Sequence, residues 1–181
     1  MAWNIRRAGP GDADAVAACG ARLFRQAYGP THPEPTLSRY LGDAFATERV
    51  RAFITDPNAA VFLIEAAPGE LLGYAQVRVA LPEAETTTLD RPLPGTRPFE
   101  IVRFYVDVKF HGKGLATVLM TACEAEARDR GADFIWLQAW QKAARALGFY
   151  QKDGFERFGT AVWFFGDLKD HDFVLARRIP S

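Results

Sequence analysis

A strand that stops at a glycine turn and continues as a helix constrains this chain more than any other feature. The segment Phe99–Asp107 is rich in aromatic and β-branched residues, which favour a strand. His111-Gly112-Lys113-Gly114 then predicts a turn, and apolar residues recur at helical spacing from Leu115 onward. Such a turn directs unpaired N–H groups and the positive end of the helix at one place, where a phosphate can bind. A tight connection that binds no ligand fits the same residues.

Two common nucleotide motifs do not fit this turn. A P-loop needs Ser or Thr after its lysine, whereas Gly114 follows Lys113. A dinucleotide fingerprint needs a small residue where Thr117 stands, in a strand–helix–strand unit near the start of the chain. The turn can still admit a pyrophosphate, because Gly112, Gly114 and Ala116 leave room for it and Lys113 adds a positive charge.

Charge and cysteine content exclude several functional classes. Twenty-two Lys and Arg residues balance twenty-two Asp and Glu residues, so no basic field exists to bind nucleic acid or an anionic membrane. Cys19 and Cys123 lack the spacing of a disulfide framework or a zinc site, and we expect both to be buried apolar residues. His111 and His171 have no third metal ligand at useful spacing, so no metal is expected. The chain shows neither a signal peptide nor an apolar run of the ~20 residues that span a bilayer, which favours a cytoplasmic protein.

The order of predicted elements favours an α/β (α+β) fold with a single domain over residues 1–181, in which helices flank a mixed, mostly antiparallel sheet. A first strand near Trp3–Arg6 precedes three helices, of which the second and third are expected to be capped by Thr36 and Thr47. Later strands are expected at Ala60–Glu65, Leu71–Ala80, Phe134–Ala139, Phe155–Phe165 and Phe173–Arg178. Residues 81–98 are interrupted by prolines and predict no regular structure, so they form either a flexible excursion or a lid over a site.

Two stretches in the second half resemble a known family. The run Phe104–Ala116 resembles the acetyl-CoA motif of the GNAT (Gcn5-related) N-acetyltransferases, a strand followed by Gln/Arg-x-x-Gly-x-Gly/Ala. Ala146-Leu147-Gly148-Phe149-Tyr150 with Asp153-Gly154-Phe155 resembles the family's next helix and its terminal Gly-Phe. The resemblance implies acetyl-CoA as cosubstrate, no metal, and a small-molecule amine as acceptor. Residues 136–142 and Gly166-Asp167…Asp172 are most similar to bacterial members that acetylate polyamines and related small amines.

The resemblance also implies roles for individual residues. Main-chain groups around Tyr105, Val106 and Val108 would bind the pantetheine arm and the acetyl oxygen. The residues that would surround the pyrophosphate are His111, Gly112, Lys113, Gly114 and Ala116. Tyr150 would be the general acid that protonates the departing thiolate, although its helical spacing also fits a core position. Either Glu100 or water would deprotonate the amine, and Glu100 also fits a structural ion pair with Arg103 or Arg78.

Three departures from the family pattern leave other functions open. His111 stands where Gln or Arg is usual, Val108 where Pro is common, and Ala143 where an Asn often contacts the pantetheine arm. Ala143 and His111 make a non-catalytic acyl-CoA-binding or regulatory module one alternative. An acetyltransferase of protein N-termini or lysines is a separate alternative among enzymes. The aromatic run at 163–165 fits either a core strand or a contact in a homodimer.

Overall fold

A computed structural model describes residues 3–166 and 168–180. The chain forms two compact units, one from Met1–Arg78 with Arg103–Cys123 and the other from Val79–Val102 with Glu124–Ser181. Strand β5 (Pro98–Val106) and helix α4 (Leu115–Asp129) each contribute residues to both units. Asp167, on which part of the polyamine resemblance depends, lies outside the described residues.

The first unit is an antiparallel set of strands with three helices. Strand β1 (Asn4–Arg7) pairs with β2 (Ala59–Ala67), and β2 pairs with β3 (Glu70–Arg78). The connection from β1 to β2 contains α1 (Ala13–Tyr28), α2 (Thr36–Ala44) and α3 (Thr47–Thr55). The apolar stripe of α1 is buried and includes Val16, Leu23 and Phe24, so this helix packs on β3 and on α3. The strands predicted at Ala60–Glu65 and Leu71–Ala80 and the three predicted helices are confirmed.

The expected threonine caps of the first unit are wrong. Thr47 is the first residue of α3, and the residue before it, Ala46, makes no side-chain cap. The Thr47 hydroxyl instead donates to Asp14 Oδ1 at 2.8 Å, which links the starts of α3 and α1. Thr36 likewise begins α2 after Pro35, again without a side-chain cap. The local sequence pattern predicted that the Thr47 hydroxyl would accept from a backbone N–H of its own helix. The hydroxyl instead donates to a residue that is distant in sequence.

The second unit contains strands in the order β5, β6, β8, β7, β4. Strand β6 (Phe134–Trp140) is parallel to β5 and antiparallel to β8 (Leu168–Arg178), which pairs antiparallel with β7 (Glu156–Phe165). Helix α5 (Ala144–Lys152) connects β6 to β7. The predicted α+β class, with a mixed and mostly antiparallel strand arrangement, is confirmed. Trp136 and Val174 are central in an apolar cluster on one face of these strands.

The prediction that residues 81–98 form no regular structure was wrong. Thr87–Leu89 forms strand β4, which pairs antiparallel with β7 in the register Thr87↔Ala161. After β4, the Arg91 guanidinium stacks 3.8 Å from the centre of the Phe158 ring, and Leu93 packs against the apolar cluster. Backbone bonds beside the strand extend this contact, since the Val162 N–H donates to Thr86 O at 2.9 Å and the Asp90 N–H donates to Phe158 O at 2.8 Å.

Candidate active site

The glycine turn forms an open cradle at the start of α4. Gly112 and Gly114 have φ of +76° and +83°, a backbone conformation that side-chain-bearing residues rarely adopt. A Cβ built on either glycine would meet no atom within 4 Å, so open space faces both. The Val118 N–H donates to Gly114 O at 3.2 Å as the first bond of the helix, which leaves the N–H groups of residues 115–117 without an acceptor inside it. This cradle fits a pyrophosphate, because unpaired donors and the positive helix end converge on accessible space.

Contacts between neighbouring residues stabilise the turn that leads into this cradle. Val108–Phe110 forms a single 3-10 turn, and the Lys113 N–H donates to Phe110 O at 3.3 Å. The exposed Lys113 ammonium lies 4.9 Å from the centre of the Phe110 ring, which keeps the charge beside the cradle. Ala116 is half-buried in the first turn of α4. Gly112, Lys113 and Gly114 are exposed in the turn and Ala116 is half-buried after it, and their role as pyrophosphate residues stays a prediction.

The His111 side chain contacts the end of β5, and its predicted place beside the pyrophosphate stays a prediction. Its Nε2 lies 2.9 Å from the carbonyl oxygen of Val106, the last residue of β5. A carbonyl oxygen only accepts, so Nε2 carries the proton and donates. The imidazole thus contacts the end of the strand, while the backbone N–H of His111 donates to Val108 O at 3.3 Å. This contact gives a structural reason for a histidine where the family usually has Gln or Arg.

The end of β5 approaches β3 closely. The parallel register of β5 with β6 runs from Pro98 to Ile101, while β5 itself continues to Val106. A Cβ on Gly73 would lie 2.7 Å from Tyr105 O, so glycine is needed there. The Asp107 N–H donates to Leu72 O at 2.8 Å and holds the strand end against β3.

The side chains of Tyr105 and Val108 have different surroundings. The half-buried Tyr105 ring packs 6.2 Å from Phe24 and 5.9 Å from Tyr74, measured between ring centres. Desolvation by burial raises the pKa of Tyr105 well above its usual value, so its hydroxyl stays protonated. Val108 is 51% exposed, and its N–H donates to Gln26 Oε1 at 3.4 Å. The predicted cofactor roles of these residues therefore rest on main-chain groups.

Both predicted acid–base residues are buried and belong to the second unit, whereas the predicted cofactor residues belong to the first. Glu100 lies in β5 opposite Trp136 and is 8% exposed. Tyr150 is the buried residue of α5, and its ring lies 5.5 Å from the ring centres of both Phe149 and Phe155. The Arg103 guanidinium, named above as a partner for Glu100, donates to Gln76 Oε1 at 2.9 Å and to Ala44 O at 3.2 Å.

The structure places a group of carboxylates and indoles together in the second unit, and of these the family resemblance had named only Trp140, within residues 136–142, and Asp172. Asp172 lies opposite Trp140 in the register of β6 with β8, and Asp170 lies opposite Trp163 in the register of β7 with β8. All four side chains share one face, and Trp140 Nε1 donates to Asp170 Oδ1 at 3.2 Å. Burial, with a smaller effect of the Asp170 charge, raises the pKa of Asp172 to about 6. The Asp-His-Asp alternation was the available signal, but β8 was expected to begin only at Phe173.

Metal ligands, cysteines and apolar helices were also compared with the sequence-based expectations within residues 3–166 and 168–180. No group of three or more His, Cys, Asp or Glu side chains in those ranges could hold a metal ion. Both cysteines are buried, as predicted. None of the helices in the described ranges has the length and apolar character needed to cross a membrane.

Comparison with known proteins identifies the family. Residues 22–155 match the acetyltransferase (GNAT) family. An uncharacterised N-acetyltransferase of Mycobacterium tuberculosis is 31% identical over 169 residues, which span 93% of this chain and 98% of that protein. An aminoglycoside N(6′)-acetyltransferase of Stenotrophomonas maltophilia is 27% identical, over 89% of this chain and 91% of that protein.

A solved structure shows the same fold. The PaiA N-acetyltransferase of Thermoplasma acidophilum in complex with coenzyme A superposes with a TM-score of 0.76 over 98% of this chain and 99% of that one, at 15% identity. The match to the GNAT family covers most of the chain, including the glycine cradle and α5, and the full-length relative named above exceeds 30% identity. The chain therefore belongs to the GNAT family of acetyltransferases.

Proposed function

We propose that this enzyme transfers the acetyl group of acetyl-CoA to the amine of a small cationic molecule. Acetyl-CoA-dependent N-acetyltransferase activity is the general activity of the family, and the proposal adds the acceptor class and the residue roles. The observation that carries it is the cradle at Gly112 and Gly114, where open space faces the unpaired donors of α4. The match to the acetyltransferase (GNAT) family runs over residues 22–155, which include this cradle.

The first step is binding of the cosubstrate by main-chain groups. The N–H groups at the start of α4 would hold the pyrophosphate, with Lys113 as a further charge. Main-chain groups of Tyr105 and Val106 would bind the pantetheine arm and polarise the acetyl carbonyl. Because the chain has zero net charge, affinity for this polyanion depends on local geometry and not on a basic surface.

The chemical step exchanges a C–S bond for a C–N bond. The unprotonated amine attacks the thioester carbonyl, the C–N bond forms, and the C–S bond breaks to release the thiolate. Tyr150 would give its phenolic proton to that thiolate, and the attacking amine would lose a proton to Glu100 or to water. The contacts of the buried Tyr150 ring with Phe149 and Phe155 support this role, since they hold the phenol ring in place.

The acidic and aromatic group of the second unit supports a cationic acceptor. Asp170 and Asp172 attract an ammonium by charge, and the indoles of Trp140 and Trp163 offer π faces that favour cations. The aminoglycoside acetyltransferase among the relatives acts, by its name, on an aminoglycoside. Polyamines and aminoglycosides are therefore the acceptors to test first. A cytoplasmic location and a homodimer stay predictions.

Thiol release tests the proposed function. Purified enzyme is incubated with acetyl-CoA and, separately, with a polyamine, an aminoglycoside, a neutral amino acid ester and a short peptide with a free N-terminus. We expect thiol release and a product mass increased by one acetyl group with a cationic small amine. Activity with the peptide alone would replace the small-molecule proposal by protein acetylation. CoA binding without acetyl transfer to any of these acceptors would contradict the proposed acceptor class.

A further inference from the structure

Arg22 connects helix α1 to two strands of the first unit. Its Nη1 pairs with Asp107 Oδ2, and its Nη2 donates to Leu71 O at 3.0 Å. Nη2 also lies 3.7 Å from the Sγ atom of Cys19, one helical turn earlier on α1. The planar guanidinium thus contacts β3 and the residue that follows β5 with two different nitrogens.

Asp107 stands at the entrance of the cofactor turn. It is 5% exposed, and its Oδ1 accepts from the Lys109 N–H at 3.1 Å inside the 3-10 turn. The residue after Asp107, Val108, donates its backbone N–H to the side chain of Gln26, which lies one helical turn after Arg22 on α1. Burial acts to raise the pKa of Asp107, but the Lys109 N–H and the Arg22 guanidinium outweigh it, so the pKa lies below its usual value. The carboxylate is therefore charged at neutral pH and available to the guanidinium.

We propose that Arg22 is a positioning residue for the acetyl-CoA turn, acting through Asp107. By holding the Asp107 carboxylate against β3, the guanidinium sets where the 3-10 turn starts and hence where the N–H groups of Gly112–Ala116 point. Each of those donors must meet a pyrophosphate oxygen within hydrogen-bond distance, so a small rotation of the turn weakens several contacts together. This inference rests on the proposed function, because it takes the turn as the pyrophosphate site.

Simple charge attraction is the competing explanation, and Asp107→Asn separates the two. The asparagine keeps an oxygen for the Lys109 N–H but presents no charge to Arg22. If charge attraction controlled cosubstrate binding, removal of a negative charge near the turn would strengthen binding of acetyl-CoA. If positioning controls it, the same substitution weakens binding. The two explanations therefore predict opposite signs for one variant.

The experiment measures kcat and KM for acetyl-CoA in full-length variants, together with the Kd of CoA by calorimetry. We expect Arg22→Ala and Asp107→Asn each to raise KM and Kd by roughly 5- to 30-fold while kcat changes by less than about 2-fold. The double variant should bind CoA no more weakly than Arg22→Ala, because both substitutions remove the same contact between Arg22 and Asp107. Arg22→Lys should be intermediate, since an ammonium cannot donate to Asp107 and Leu71 O in the same planar geometry. Added guanidinium ion should partly restore KM in Arg22→Ala.

Arg25→Ala is the matched control. Arg25 lies on the same helix and pairs with Glu34, and its side chain is 48% exposed against 44% for Arg22. We expect its KM to match the wild-type value. The inference is overturned if Asp107→Asn lowers KM, if both single variants bind CoA as the wild type does, or if Arg25→Ala weakens binding equally. If Arg22→Ala does not fold, Asp107→Asn and Arg22→Lys give the same decision. Failure of the proposed function would give a different result. The wild type would then bind no CoA, or the Kd for CoA would be the same in the wild type and in Gly114→Ala.

Discussion

Substitution of Gly114 by alanine tests the cradle most directly, because the chain contains a matched control. Gly114 and Gly69 have φ of +83° and +81°, and a Cβ at either position would meet no atom within 4 Å. Both alanine variants therefore incur the left-handed backbone cost and no clash, about 1 kcal/mol of unfolding free energy each. For a chain of this length we expect Tm to fall by about 2–4 °C in both.

Only Gly114 borders the unpaired donors of α4. A methyl group there projects into the open space that we assign to the pyrophosphate, and it displaces at least one charge-assisted hydrogen bond, worth about 1.5–3 kcal/mol. That loss corresponds to a Kd for CoA that is roughly 10- to 100-fold weaker. Gly69 lies in the turn between β2 and β3, so Gly69→Ala should leave the Kd unchanged.

Calorimetric titration of CoA into the wild type and the two variants, beside thermal unfolding of each, measures both quantities. Equal weakening in Gly69→Ala and Gly114→Ala would show that lost stability, and not the cradle, controls affinity. An unchanged Kd in Gly114→Ala with the expected loss in Tm would refute the assignment of the phosphate site.

Three further substitutions address the chemistry. Tyr150→Phe should lower kcat by about 10²-fold with little change in KM for acetyl-CoA, and an unchanged kcat would reject the acid role. Glu100→Gln should flatten the pH profile of kcat/KM if Glu100 is the base, whereas a profile parallel to that of the wild type would assign deprotonation to water. The Asp172 carboxyl, with its pKa of about 6, gains charge as pH rises from 5 to 7, so KM for a cationic amine should fall over that range. Asp172→Asn should remove this fall and leave KM for acetyl-CoA unchanged. The same substitution should raise Tm at pH 8, because a carboxyl whose pKa is raised by folding lowers the stability of the folded state when it is charged. Persistence of the pH-dependent fall in Asp172→Asn would exclude this carboxylate.

The local pattern of the chain predicts much of the fold. Apolar residues with helical spacing define α1 and α4, and alternating or β-rich segments define most strands. The positive φ of Gly112 and Gly114 follows a short-range rule, since glycine adopts that conformation without steric cost. The family resemblance of Phe104–Ala116 likewise depends on neighbouring residues, and the family assignment confirms it.

Contacts between residues distant in sequence could not be predicted in this way. The proline-rich segment contains β4 because β7 supplies a partner, and Thr47 bonds Asp14 because α1 lies beside it. The Arg22–Asp107 pair joins residues 85 positions apart, and no sequence period encodes such a contact.

The sequence by itself therefore determined the order of the elements other than β4, the glycine turn and the family, because these depend on local backbone preference and residue spacing. The tertiary structure alone decided which side chains meet: Arg22 at Asp107, His111 at Val106 O, and two carboxylates beside two indoles on the face of β8. The physical reason is that a hydrogen bond or ion pair depends on distances of about 3 Å, which only the packing of strands and helices fixes.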